Sequence, residues 1–219
     1  MKIVAFPNVV DSDWSVDALR SKEQSESFAR SALQRSKLIG SFGTLQVYSV
    51  SAGVVSEFTM DPDHRVVWFG DQTGQAVVFS EVEESRLKFS VDVPKELRRV
   101  CRTQVSIQKA PWRNDVVGVG KWILDNVLCT RKSNALTDRC QTIAGASMWR
   151  SWVKNAMMQE NRSTVTVYGL REDNTGRVDL VTKLHHDREV GLFLSEHFIN
   201  DHSIQQQGKN LRVLISRRS

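Results

Sequence analysis

Two stretches of this chain alternate apolar and polar residues so regularly that they fit only extended backbone. Over residues 86–93, Leu87, Phe89, Val91 and Val93 share one face, and Lys88, Ser90 and Asp92 the other. Side chains two apart lie on the same side of a strand, so this is the cleanest period-two signal in the sequence. Pro94 ends it. Over 102–108, Thr103, Val105 and Ile107 oppose Arg102, Gln104, Ser106 and Gln108, and Pro111 closes the run. Half-buried strands need a sheet to belong to, and the flanking residues supply further strands.

A first strand is expected at 2–6, ended by Pro7 and Asn8. An N-terminal helix is expected over 16–37, capped by Asp13 or Ser15 and punctuated at its end by Gly40 and Gly43. Strands follow at 44–51 and 53–60, and a hairpin with a longer loop spans 65–81. The period then changes. Val116, Val119, Ile123 and Val127 suit a helix over 116–129. A longer helix near 135–159 places Trp149, Trp152, Val153, Ala156 and Met157 on one buried stripe. Strands return at 163–168, 177–184 and 211–215, with a short helix at 191–200. The expected fold is therefore α+β. A mostly antiparallel sheet, from strands in 44–108 and 163–215, is joined by two central helices and an N-terminal helix. The chain of 219 residues is read as one domain with sub-blocks 1–110, 111–162 and 163–219.

Bulk numbers exclude several classes. With 40% hydrophobic and 25% charged residues the chain is neither disordered nor collagenous. No run of eighteen apolar residues occurs, so no membrane insertion is expected. The apolar start before Pro7 is too short for a signal-peptide core, which points to a cytoplasmic, reducing location. Cys101, Cys129 and Cys140 form no CxxC pair, so free thiols are expected rather than a disulfide framework.

Motifs for chemistry fail in detail. Gly118-Val119-Gly120-Lys121-Trp122 lacks both the earlier glycine and the hydroxyl of a phosphate loop. The histidines His64, His185, His186, His197 and His202 show no metal-ligand spacing. Cys101, among Arg98, Arg99 and Arg102, is the best candidate for a reactive thiol, with a buried structural cysteine as the alternative. Glu81, Glu83 and Glu84 read as a solvated turn. No catalytic residue, cofactor or metal is expected.

The net charge of +5 is unevenly placed. Residues 1–85 hold 7 basic and 12 acidic side chains, residues 86–162 hold 15 and 6, and residues 163–219 hold 8 and 7. A basic segment of this kind is the electrostatic footprint of a polyanion partner. The expected nucleic-acid-binding residues are Arg98, Arg99, Arg102, Lys109, Trp112, Arg113, Arg131, Lys132, Arg139, Arg150 and Lys154. Arginine outnumbers lysine among them, which suits planar contacts to phosphate, and an exposed Trp112 could stack on a base. On a helix, positions 139, 150 and 154 fall within about 60° of one another.

The stretch from Lys37-Leu38-Ile39-Gly40 through Val54-Val55-Ser56-Glu57-Phe58, then Asp61-Pro62-Asp63, and the strand–Pro111–Asp115–helix step resemble the strand order of plant-virus movement proteins of the thirty-kilodalton type. The resemblance covers a minor part of the chain. Glu81 stands where that family's acidic strand end would be Asp, the stretch 116–159 is longer, and no specific motif is present. The resemblance does not assign the chain to that family, and a viral protein is one expectation among those below.

The leading expectation is a non-enzymatic protein binding RNA or single-stranded nucleic acid, a homo-oligomer without membrane insertion. The second is a structural or assembly protein, such as a capsid, matrix or scaffold subunit, with Trp14, Trp68 and Trp112 anchoring interfaces. The third is an enzyme whose site is assembled from distant residues.

Overall fold

The computed structural model describes residues 19–113, 116–137, 151–155, 165–185, 189 and 211–217. In chain order the elements are α1 (Lys22–Leu33), β1 (Lys37–Phe42), β2 (Leu45–Ser51), β3 (Arg65–Gly70), β4 (Ala76–Ser85), β5 (Lys88–Phe89), β6 (Val100–Lys109), α2 (Val119–Ile123), β7 (Ser133–Leu136), β8 (Val165–Glu172), β9 (Arg177–Leu184) and β10 (Leu211–Arg217). The strands form one mostly antiparallel sheet in the order β1-β2-β3-β4-β6-β7-β10-β8-β9-β5, so the class is α+β. Two pairings, β5 with β9 and β6 with β7, are parallel. Among the described residues no helix is long and apolar enough to cross a membrane. Their contacts group the chain into two compact units, one within 19–84 and 104–123, the other within 85–103 and 124–217.

The first unit is a meander, β1 to β4, with α1 on one face. Ser21 caps α1 by accepting from the Gln24 amide at 3.2 Å. Phe28 is the keystone: it meets Phe58, Trp68 and Phe79 edge-on at centroid distances of 5.4, 5.6 and 5.3 Å. Tyr48 stacks on Trp68 at 4.5 Å. The Trp68 indole donates to Ser36 Oγ at 2.9 Å, and Ser36 donates onward to the Ala32 carbonyl at 2.9 Å, so the buried ring keeps its polar edge paired. Ser25 Oγ donates to the Ala76 carbonyl at 2.6 Å and fastens helix to sheet. On the other face Phe69 lies between Phe42 and Trp122. Gly40 makes room there: a Cβ at that position would sit 3.0 Å from the Trp122 ring.

Three expectations need correction in this unit. The N-terminal helix is shorter than 16–37, because Leu33 gives way to a turn and Lys37–Phe42 is strand β1. This edge strand lacks alternation and shifts register between Leu38 and Gly40, so Gly40 looked like punctuation. The strand expected at 53–60 is a 3₁₀ turn, Ala52–Phe58. It is two short 3₁₀ pieces that meet at a kink at Val55, and Ala52, Val55 and Phe58 pack on the core. The acidic trio lies in β4 rather than in a turn: Glu81 is buried, and Glu84 pairs with Arg65.

In the second unit β7 and β10 are interior strands, buried on both faces apart from the terminal Arg217. Val93, Leu97, Cys101, Leu136, Tyr168, Leu170, Val178 and Leu214 form its core. The period-two run at 86–93 contributes only the two-residue β5, paired to β9. Leu87 and Phe89 pack on the core as the alternation requires, but Val91 is 63% exposed. The helix expected at 116–129 is α2 followed by a π turn, Leu124–Leu128. The start of the helix expected at 135–159 is strand β7; residues 151–155 are helical, and 138–150 and 156–159 lie outside the described residues. Doubly buried strands do not alternate, which is why β7 carried no strand signal. The strand expected at 2–6 and the helix at 191–200 also lie outside the described residues.

Each unit has a hairpin turned by Asp-x-Thr-Gly. Asp71 and Asp173 accept from the amides of Thr73 and Gln75 and of Thr175 and Arg177, and Gly74 and Gly176 take left-handed φ values of 82° and 76°. The second unit also buries a charge. Arg212, 4% exposed, donates to the Thr137 carbonyl at 2.8 Å and to Thr103 Oγ1 at 3.2 Å, and lies 3.5 Å from the Glu172 carboxylate. Removing one partner takes that compensation from the other buried charge. Arg212→Met is expected to lower stability by about 3–5 kcal/mol in urea denaturation, and adding Glu172→Leu should recover most of the loss.

Candidate nucleic-acid interface

Strand register decides which basic residues meet. In the second unit β6 and β7 run parallel, with Val100 opposite Ser133. Arg98 and Arg99 just before β6 therefore end up beside Arg131 and Lys132 just before β7. β10 runs antiparallel to β7, with Ile215 opposite Ala135, so Arg217 reaches the same end of the sheet. A direct bond confirms the placement: Arg99 Nη1 donates to the Arg217 carbonyl at 2.7 Å. Three separate stretches of sequence thus deliver five cations to one sheet end.

The five are held differently. Arg98 is exposed and pairs with Asp92, also donating to the Val93 carbonyl at 3.3 Å. Arg217 is half-exposed and faces Asp125, its guanidinium 3.2 Å from the carbonyl and 3.4 Å from the carboxylate. Arg131 and Lys132 are exposed at the tip of a tight turn. That turn is braced from below. The Thr130 amide donates to the Ser133 carbonyl at 3.0 Å, the two hydroxyls lie 2.8 Å apart, and Ser133 Oγ donates to the Leu128 carbonyl at 2.8 Å. The backbone is fixed while both cationic side chains stand in solvent.

The other expected residues are placed elsewhere. Arg102 is half-buried and donates to the Val127 carbonyl at 2.7 Å, closing the π turn. Lys109, Trp112 and Arg113 belong to the first unit. Lys109 is exposed, but Arg113 pairs with Asp71 at 2.9 Å and Trp112 is half-buried. Lys154 is exposed on the helical stretch 151–155, beside the buried Trp152 and Val153. Arg139 and Arg150 lie outside the described residues. Arg217 was missed as a participant, since next to Arg218 it reads as a terminal basic tail.

Charge divides by unit rather than by thirds of the sequence. Among the described residues the first unit has nine basic and nine acidic side chains, and the second has fourteen and seven. A neutral unit and a strongly basic one concentrate the positive field on the second.

The remaining chemistry is quiet. Burial raises the Cys101 thiol to about 12, outweighing the nearby Arg212, so the arginines adjacent in sequence do not activate it. Burial likewise pushes the Cys129 thiol up, against the pull of Arg217. Among the described residues no group of His, Cys, Asp and Glu is arranged to hold a metal ion. His64 lies 3.8 Å from Asp61, His185 is exposed, and His186, His197 and His202 lie outside the described residues. Trp68, an expected interface anchor in the assembly reading, is instead core. Trp14 lies outside the described residues.

No protein-family model matches the chain, and no curated protein or solved structure matches it.

A buried thiol far above its ordinary pKa reacts only on unfolding. A Cys140→Ser variant should show no thiol titratable by Ellman's reagent in its native state, and two after denaturation. Reaction of either thiol in the native protein would contradict the burial.

Proposed function

We propose that the chain is a non-enzymatic protein that binds RNA or single-stranded nucleic acid, holding phosphates at the sheet end formed by Arg98, Arg99, Arg131, Lys132 and Arg217. The observation that carries this reading is the convergence of those five cations through the pairing of β6, β7 and β10. Arg131 and Lys132 are the solvent-facing contacts. Arg99 ties the strand ends together behind them through the Arg217 carbonyl. A guanidinium offers a rigid fork of donors matched to phosphate oxygens, and a lysine adds a point charge. Such contacts position a backbone without reading its bases, so the binding is expected to be sequence-tolerant.

Each phosphate contact to a single strand contributes about −0.7 to the slope of log affinity against log salt. Reversing Arg131 and Lys132 to Glu should weaken binding to a mixed single-stranded RNA pool and flatten that slope by at least about 1.4. Lys109→Glu, in the other unit, should leave the slope unchanged. An equal effect from Lys109→Glu would move the interface away from this sheet end. Salt-insensitive wild-type binding, or none, would refute the function.

One observation favours the second reading, a structural or assembly protein that forms homo-oligomers. Edge strand β1 shows Leu38 and Ile39 at 55% and 39% exposure, and among the described residues no strand pairs with its outer side. Exposed apolar edges are templates for association. Light scattering across a concentration series should show a species heavier than 24.9 kDa that Leu38→Lys returns to the monomer. A strict monomer at every concentration would exclude this reading.

A further inference from the structure

The first unit contains a buried acid that neither proposed function uses. Glu81 lies in β4 opposite Val66 and is 1% exposed. Its Oε1 accepts the Met60 amide at 2.7 Å. Its Oε2 is buried with no hydrogen-bond partner among the described residues. The turn at 59–64 that supplies this amide carries His64, whose Nδ1 is likewise buried and has no hydrogen-bond partner among the described residues. His64 Nε2 lies 3.8 Å from Asp61 Oδ2. The turn is stitched to itself and to the 3₁₀ turn before it. The Ala52 amide donates to the His64 carbonyl at 2.9 Å, the His64 amide to the Asp61 carbonyl at 3.2 Å, and Thr59 Oγ1 to the Ala52 carbonyl at 3.5 Å.

An ionised carboxylate with one bare oxygen in the interior is costly, and a neutral one much less so. The cheapest relief for the charge is water, and the segment bonded directly to the carboxyl is this turn, through the Met60 amide. We propose that residues 59–64 form a proton-controlled flap, shut over the neutral Glu81 carboxyl and opening when that carboxyl ionises.

The surroundings set the direction. Burial, the largest influence, pushes the Glu81 carboxyl above its ordinary value. The Met60 amide and His64 pull it down by less, and Asp61 adds a further upward push. On β4 the half-buried Glu83 shares its face and cannot compensate a negative charge. Arg65, the nearby cation on β3, is engaged by Glu84 at 3.4 Å. On the turn, Asp63 is exposed, and Glu57 on the 3₁₀ turn is exposed as well. Because the shut form holds the proton more tightly than the open form, shutting is fully favoured below the ordinary carboxylate pKa. That advantage is lost as pH rises through the raised value.

The test is amide hydrogen exchange at Met60 in the full chain, corrected for the intrinsic pH dependence of exchange, from about pH 4 to about pH 8. Protection in the wild type should fall by about tenfold per pH unit across the window between the ordinary and raised pKa, the slope of one proton. Glu81→Gln keeps an acceptor for Met60 without the charge and should hold its protection flat. A Glu81→Gln profile that still falls with pH would overturn the proposal. A fall that vanishes in His64→Gln would overturn it too, by assigning the proton to the histidine. Carbon-13 titration of the wild-type Glu81 carboxyl needs no variant: its midpoint must fall at the pH where the loss of protection levels off, and a midpoint elsewhere overturns the flap.

Discussion

The parallel pairing of β6 with β7 sets the arrangement on which the second unit depends. It places the start of one strand beside the start of the other, so whatever precedes Val100 lies next to whatever precedes Ser133. β10 then packs antiparallel against β7 and brings its C-terminal end to the same place. An antiparallel β6–β7 pair would have sent Arg98 and Arg131 to opposite ends. The pairing is secured from inside. Asn134 donates to the Glu96 carbonyl at 2.8 Å, and Arg212 ties β10 to Thr137, Thr103 and Glu172. Every residue of β7 is buried, so a slip of one position would exchange which side chains face the core.

The first unit depends on a different interaction, the edge-on packing of three aromatic rings around Phe28. It is electrically neutral among its described residues, and its basic Arg113 is engaged by Asp71. Its unusual feature is a buried acid rather than an exposed base. The proposed phosphate grip and the proposed proton-controlled turn thus fall in separate units and rest on separate chemistry: surface cations in one, a desolvated carboxyl in the other.

Much of the fold was legible in the residues, and the failures have separate physical causes. The hairpin over β3 and β4, the strands β2, β6 and β9, and the core of α1 follow from alternation, turn chemistry or helical spacing; β8 was legible only to Tyr168 and runs on to Glu172, and β10 reads as a strand from its short apolar run. Strand β7 was not legible because both its faces are buried and its Ser-Asn-Ala-Leu carries no alternation. Strand β1 is an edge with a register shift, and Gly40 there serves a close approach by Trp122. Residues 86–93 show the opposite error, since a perfect alternation yielded only a two-residue pairing. Of the basic residues, Arg131 and Lys132 were legible as exposed cations. That Arg217 joins them, and that Arg113 is held by an aspartate far away in sequence, depends on pairing that local patterns do not encode.

The site is most directly tested by photo-crosslinking the full chain to a short single-stranded RNA and mapping the adducts by mass spectrometry. The account predicts adducts at residues 98–99, 131–132 and 217, suppressed as salt is raised. Adducts confined to 109–113, or spread evenly over both units, would contradict it.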